Sequence, residues 1–263
     1  YNPTTVPDVR AVLGSIRPDA VHAHNVHEFL SYHTLKLAAD KSIPVVLTYH
    51  DAMSVEYGKV TDVPEDVVVG EGTLDSLEYQ VSPWDQLKRN RCRYFPLRNV
   101  LNRQYLKRYV DVGVSVSREL ATFLTRNGVP CSRVVHNGID PSPYQNADGE
   151  AFRGRFELGD APTVLFGGRL SYYKGARHLA RAFSSVVEEV PEARLVVTGS
   201  ADGTAERMTR ILGNESDSMV TTDWLSEEGI KRAFAAADVV AAPSIYLEPF
   251  GLTAAEGMAC GTP

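Results

Sequence analysis

The chain has 263 residues, 43% hydrophobic and 23% charged, which is ordinary globular make-up and more chain than one core usually serves, so two domains are expected. A formal charge of -6 gives no reason to expect nucleic acid as a partner, and Cys92, Cys131 and Cys260 are too few and too scattered for a disulfide framework or a zinc knuckle. No apolar stretch is long enough to span a bilayer and no signal peptide opens the chain, so a reducing, cytoplasmic setting is expected.

In chain order, Asp19 to His24 reads as a strand, followed by a helix over about Glu28 to Asp40 and the strand Pro44 to Tyr49. A long polar segment, Asp51 to Pro83, shows only weak periodicity; a stretch of this length in a compact domain is usually functional or mobile. The spacing then predicts a basic helix over roughly Pro83 to Tyr109, open to a break at Pro96. The strand Val112 to Val116 and a helix from Ser117 to about Arg126 complete this half. At Val134-Val135-His136-Asn137-Gly138-Ile139-Asp140-Pro141 the texture changes. Asn-Gly is a turn signal, and Pro141 with Pro143 is expected to keep a helix from starting.

The second half restarts the alternation. Strands are predicted at Thr163–Phe166, Arg194–Thr198, around Met219 to Thr221, and at Val239–Ala242. Helices are predicted over about Gly175–Glu189, Ala201–Leu212 and Ser226–Ala236, with a last one from about Leu252. Apolar β-branched runs alternating with amphipathic segments indicate βαβ units. The expected fold is α/β: two Rossmann-like, doubly wound parallel-sheet domains facing a cleft. The first covers 1–136, a linker 137–150, and the second 151–263. Ligands of such sheets sit beyond the carboxyl ends of the strands.

Two motifs in the second half carry chemistry. In Glu248-Pro249-Phe250-Gly251-Leu252-Thr253-Ala254-Ala255-Glu256, two acids bracket a turn and a helix start. Gly251 lets a phosphate approach the backbone, where free N–H groups and the helix dipole favour an anion. Glu248 can hold a sugar hydroxyl and Glu256 a pair of ribose hydroxyls. The bland alternatives are a solvated loop acid and a capping acid. In Gly167-Gly168-Arg169-Leu170-Ser171-Tyr172-Tyr173-Lys174-Gly175, Arg169 and Lys174 lie between a strand end and a helix start. Two cations so placed could neutralise a departing diphosphate; the alternative is a pair of surface cations.

These residues resemble the retaining glycosyltransferases of family 4, which have the GT-B fold. The resemblance rests on His136-Asn137-Gly138-Ile139-Asp140, Gly168-Arg169-Leu170 with Lys174-Gly175, Val197-Thr198-Gly199, and Glu248-Pro249-Phe250-Gly251 with Glu256-Gly257-Met258-Ala259. It is looser in the first half, at Asp19 to His24 and Pro44 to Asp51. The resemblance implies that Arg169 and Lys174 contact the donor diphosphate and Glu248 the transferred sugar. Phe250, Gly251 and Leu252 would offer backbone amides, Glu256 would bind the ribose, and Gly168 would belong to the same donor site. His50 would sit near the sugar and the reacting centre. The base would lie near Gly199 and around Thr222 to Leu225. The resemblance also implies a nucleotide-sugar donor, a carbohydrate or lipid-linked acceptor hydroxyl, no cofactor and no bound metal.

His22 and His24 point the same way from a strand, which permits a metal site geometrically; cleft-edge packing is the preferred reading, with acceptor contact by His24 a lesser one. The segment 88–108 carries Lys88, Arg89, Arg91, Arg93, Arg98, Arg103, Lys107 and Arg108 without an acid. It is a candidate for docking on an anionic membrane surface, against the alternative of a solvated helix face. Both chain ends read as cut: there is no initial Met, and the end at Gly261-Thr262-Pro263 resembles a helix cap leading to a further strand. The family's N-terminal glycine-rich loop and C-terminal helices are missing from the sequence, so low stability or weak activity is expected of this span alone. The expected activity is transfer of a sugar with retained anomeric configuration, in polysaccharide, glycolipid or glycoconjugate synthesis. The alternatives are a nucleotide-sugar 2-epimerase, a glycoside phosphorylase, or a non-catalytic binding subunit.

Overall fold

A computed structural model describes residues 2–27, 29–57, 60, 81–91, 94–95, 97–167, 172–199 and 203–263, with only the main chain at 85, 89, 172 and 204. Most of the polar segment after Asp51, the break expected at Pro96 and the start of the helix expected from Ala201 lie outside these residues. The chain divides into two compact units, Tyr1–Asn137 and Gly138–Pro263.

The first unit is a four-stranded parallel sheet of β1 (Val21–His24), β2 (Val45–Tyr49), β3 (Val112–Ser115) and β4 (Arg133–Val134), in that order. Among the described strands it winds in one direction without reversing. The helices are α1 (Val6–Ile16), α2 (His33–Ala39), α3 (Pro83–Asn90), α4 (Leu97–Tyr109) and α5 (Arg118–Arg126). Ser117 caps α5 by accepting from the Leu120 N–H, which stops the helix from reaching back into the strand. Leu35, Ala38, Val45, Leu47, Leu106, Leu120, Phe123 and Leu124 form the centre of this unit's core.

The second unit opens with α6 (Ser142–Gln145) and α7 (Gly149–Arg155). The short helix α6 stands where the two prolines were expected to prevent one. Pro143 falls in its first turn, where the missing N–H would have no intrahelical acceptor and the fixed φ suits the helix. The sheet follows as β5 (Thr163–Phe166), β6 (Arg194–Val197), β7 (Met219–Thr221) and β8 (Val239–Val240), all parallel, in the order β7-β6-β5-β8. The helices are α8 (Ala176–Glu189), α9 (Thr204–Leu212), α10 (Glu227–Ala236) and α11 (Leu252–Cys260). Period-two alternation sorts the strand residues between two cores. Phe166, Leu195 and Val197 pack with Phe183 of α8 and Met208 of α9. Leu165 and Val196 pack with Phe152 of α7 and Phe234 of α10. Burial on both faces explains why these strands read as continuous apolar runs.

The two units share a local device. Asp111, just before β3, accepts from the Val45 N–H of β2 at 2.7 Å. Asp238, just before β8, accepts from the Thr163 N–H of β5 at 2.8 Å and from Arg153 at 3.0 Å. In each case the acid's own N–H returns a bond to the same neighbouring residue, Asp111 to Val45 and Asp238 to Thr163, at 2.9 Å.

Candidate functional site

The second sheet reverses direction beside β5. The chain builds outward from β5 to β6 and β7, then returns to lay β8 against the other side of β5. Loops leaving neighbouring strands at such a point diverge and open a ligand crevice. The loop after β5 carries Lys174, and the loop after β8 carries Glu248.

The structure brings these two together. Lys174 Nζ donates to Glu248 Oε2 at 2.7 Å, and the Ser244 hydroxyl donates to the same oxygen at 2.8 Å. The Tyr246 hydroxyl bonds the carboxylate as well, and its ring lies 5.6 Å from the lysine ammonium. Burial alone would raise the Glu248 pKa. The bonds from Lys174, Tyr246 and Ser244 outweigh it, and the net shift is downward, so Glu248 is an anion at neutral pH. It is neither a solvated loop acid nor a proton donor. Burial and the Glu248 bond both push the Tyr246 phenol up. Lysine has three N–H donors, so Lys174 can hold Glu248 and still offer two to a ligand.

Gly175 makes this approach of two loops feasible. Its φ is +77°, and a Cβ there would lie 1.8 Å from the Pro243 carbonyl oxygen. Gly251, with φ +84°, precedes α11. Ala254 and Ala255 donate to its carbonyl, so the N–H groups of Gly251, Leu252 and Thr253 come before the first intrahelical donor. Phe250, Gly251 and Leu252 thus stand at the helix start, as expected. Glu256 lies a turn further on and is no cap. It accepts a 3.0 Å bond from the Tyr144 hydroxyl of α6. Burial raises the Glu256 pKa, opposed in part by that bond.

Gly199 follows β6 with φ +74°. It helps line a cavity of ≈ 260 Å³ with Thr198, Trp224, Leu225, Glu227 and Ile230. Trp224 is 73% exposed, a large aromatic face turned outward. Arg169 and Gly168 lie outside the described residues.

In the first unit, His50 follows the carboxyl end of β2, the expected position. Its Nε2 lies 2.8 Å from Nδ1 of His24 at the end of β1, so one ring donates and the other accepts. Burial lowers both pKa values, helped at His24 by His22 and His50. At His50 the nearby Asp51 acts the other way and His22 lowers it further. His22 instead bonds Thr48 at 2.8 Å. Among the described residues no group of three or more His, Cys, Asp or Glu has the geometry to hold a metal ion.

The basic segment is two helices rather than one. Its described cations do not share a face. Arg98 and Arg103 turn inward, to the Met53 carbonyl and to the Asn127 carbonyl, while Lys107 and Arg108 are exposed. Trp84, Leu87, Phe95, Leu97 and Leu101 are exposed among them; the Arg89 side chain and Arg93 lie outside the described residues. No described helix is long and apolar enough to cross a membrane.

Sequence reasoning passed over Ser244, Tyr246 and Tyr144. The first two sit four and two residues before Glu248, close enough to have been read as its partners. Tyr144 is 112 residues from Glu256, and no local signal links them.

The comparisons with known proteins cover both units. The profile described as Glycosyltransferase Family 4 matches residues 1–143, and that described as Glycosyl transferases group 1 matches 149–263. An uncharacterized glycosyltransferase of Methanocaldococcus jannaschii is 37% identical over 138 residues, covering 50% of this chain and 35% of that protein. A D-inositol 3-phosphate glycosyltransferase of Xylanimonas cellulosilytica is 33% identical over 261 residues, covering 93% and 54%. The chain therefore spans about half or less of the length of these relatives. Among solved structures, Anabaena HepE in complex with UDP and glucose has a TM-score of 0.65 at 19% identity, covering 99% of this chain and 62% of that one. Sucrose-phosphate synthase from Thermosynechococcus elongatus has a TM-score of 0.67 at 21% identity, covering 99% and 59%. At these identities the likeness establishes the fold, two Rossmann-like parallel-sheet units of the GT-B class.

Proposed function

The chain belongs to glycosyltransferase family 4, and from that premise we propose that the protein transfers a sugar from a nucleoside diphosphate donor to an acceptor hydroxyl with retention at the anomeric carbon. The observation that carries the proposal is the Lys174–Glu248 cluster. It lies beyond the carboxyl ends of β5 and β8, next to the start of α11, at the reversal of strand order.

In this reading the diphosphate takes the two remaining N–H donors of Lys174 and the amides ahead of α11, with Arg169 beside them by resemblance. Glu248 accepts a hydroxyl of the transferred sugar. Glu256, oriented by Tyr144, accepts the ribose hydroxyls. The base stacks toward Trp224 in the cavity beside Gly199. The Anabaena HepE structures hold UDP and UDP-glucose, which makes a uridine diphosphate sugar the first donor to test. His50 is assigned to the sugar from the resemblance, supported by its strand-end position and its pairing with His24.

Glu248, tied up by three donors, is not placed as a covalent nucleophile. The family resemblance favours front-face substitution. The bond from the anomeric carbon to the diphosphate oxygen breaks as the acceptor oxygen bonds on the same face. The acceptor proton passes to the departing phosphate oxygen. The protein contributes position and cation charge, and needs neither metal nor cofactor in this scheme.

Lys174→Ala in the full-length protein should lower transfer by roughly 10²–10³-fold, the range for removing one fixed donor at a developing charge, and Glu248→Ala, which releases the sugar from its position, should lower it about 100-fold. Product analysis with an isotopically labelled donor reads both turnover and anomeric configuration. Near-normal turnover in both variants, or an inverted product, rejects the proposal. The role in polysaccharide, glycolipid or glycoconjugate synthesis follows from the acceptor once that is identified.

A further inference from the structure

His24 has no task in the donor chemistry, yet its ring is held from two sides. Side chains alternate along a strand, so His22 and His24 of β1 share a face with Thr48 of β2, and His50, just past the strand end, continues that face. The register sets His22 opposite Val46 and His24 opposite Thr48. Each histidine reaches one step along the diagonal, His22 Nε2 to the Thr48 hydroxyl and His24 Nδ1 to His50 Nε2, both at 2.8 Å. The His24 ring therefore lies between two imidazoles, its centroid 4.2 Å from that of His22 and 5.1 Å from that of His50. Among the described residues His24 Nε2 and His50 Nδ1 make no further hydrogen bond.

A bond between two neutral imidazoles can be made in two ways. If His50 donates from Nε2, its Nδ1 keeps only a lone pair. If His24 donates from Nδ1, the proton of His50 must sit on Nδ1, and His50 keeps an N–H. The ligand decides between them. Negative charge grows on the oxygen of a breaking bond from sugar to phosphate; an N–H meets that charge favourably, and a lone pair repels it. An extra proton is not available to supply the donor. Burial and His22 lower the pKa of both rings, and Asp51, which also faces His27 at 3.5 Å, offsets this only in part at His50. The donor must come from the tautomer, which a second ring can set.

We propose that His24 is a positioning residue for the transfer reaction: its Nδ1–H donates to His50 Nε2, fixes the His50 proton on Nδ1, and so presents His50 to the transferred sugar as a neutral N–H donor. The proposal rests on the transferase reading for the sugar, but the tautomer it asserts is measurable without turnover.

Long-range proton–nitrogen correlation spectra of the imidazole rings, taken on the isotopically labelled full-length protein at neutral pH, show which nitrogen carries the proton. His50 should carry it on Nδ1 in the parent. In His24→Leu, which fills space beside His50 without a donor, the His50 proton should be shared between both nitrogens. His24→Asn keeps an N–H near the place of Nδ1 and should restore the Nδ1 form. His24 is exposed, so neither variant opens a cavity in the core. In steady-state transfer His24→Leu should lower kcat by about 10–100-fold, between the loss of one hydrogen bond and the misplacement of a group at a reacting centre, with the donor KM unchanged. His24→Asn should recover most of that loss. A His50 proton on Nε2 in the parent, parent-like kcat in His24→Leu, or equal losses in the two variants overturns the proposal. If the tautomer is as stated and the parent transfers no sugar, the pairing of His24 with His50 is sustained and the transferase reading falls instead.

Discussion

Gly175→Ala tests whether the meeting of two loops builds the candidate site. The added Cβ would stand 1.8 Å from the Pro243 carbonyl oxygen at a φ of +77°. A non-bonded carbon and oxygen need about 3.3 Å, so one loop must retreat by roughly 1.5 Å, an overpacking that costs about 1–3 kcal/mol. The left-handed backbone adds about 1–2 kcal/mol for an alanine. The stiffer unfolded chain returns about 0.4–1 kcal/mol. The net loss is about 1–5 kcal/mol, or roughly 3–20 °C in melting temperature for a unit of this size. The retreat also carries Ser244 away from the start of α8, and with it the loop that presents Glu248 to Lys174. A displacement near 1 Å at a reacting centre costs about 100-fold in rate. Gly154→Ala is the control: it sits exposed in α7 with nothing within 4 Å of the added carbon, and should stabilise by up to about 1 kcal/mol. Denaturant unfolding and steady-state transfer on both variants decide the matter. If Gly175→Ala melts and turns over like the parent, the loops are not locked as described and the reasoning fails.

Three further outcomes follow from the geometry. Tyr144→Phe removes the one bond that lowers the Glu256 pKa, so that acid should titrate higher still; affinity for a nucleoside diphosphate, read by calorimetry, should fall about tenfold, and unchanged affinity would remove Glu256 from the ribose. Both His24 and His50 have folded pKa values below 6.5, so their contribution to stability is complete above that pH and is lost as pH falls through the folded values. Nuclear magnetic resonance titration should give both midpoints under 6.5, and Asp51→Asn should lower that of His50 further, since Asp51 holds it up; a rise would contradict the assignment. For the membrane question, charge reversal of the exposed Lys88, Lys107 and Arg108 should abolish co-sedimentation with anionic vesicles if α3 and α4 dock there, and unaltered co-sedimentation would return the segment to a solvated face.

Strands β5 and β6 were legible because burial on both faces makes them continuous apolar runs, and Thr163–Phe166 is read in the sequence where the structure has it; β4, two exposed residues, went unread. Helix starts were less so. The predicted helix Glu28–Asp40 begins only at His33, because Ser31, at φ +69°, sits in the turn before it. The helix α1 went unread: it buries only Val6 and Leu13 and leaves Val12 and Ile16 exposed, too faint a stripe to show as a period. In the site, Lys174, Glu248, Gly251 and Glu256 were readable because each sits in a short motif with a strand on one side and a helix on the other. Their mutual contacts were not. The Lys174–Glu248 pair joins residues 74 apart, and its existence depends on β8 returning beside β5, a topological fact that no local spacing encodes. The same holds for His24 and His50, which adjoin only because β1 and β2 pair in register, His24 opposite Thr48.

The aspartates ahead of β3 and β8 give the molecule a division of labour. Each pins the alignment of one strand against its neighbour from the amino-terminal rim, where a slip of one residue would turn every side chain to the wrong face. With that anchor at the amino-terminal rim, the loops of the opposite rim are left to carry the candidate ligand contacts. Replacing Asp111 or Asp238 should therefore loosen the sheets while leaving ligand preference intact, whereas new loops after β5 or β8 should alter preference and preserve folding only where the close approach of Gly175 to Pro243 is kept. Engineering of this scaffold can treat its two rims as separable parts once that contact is kept.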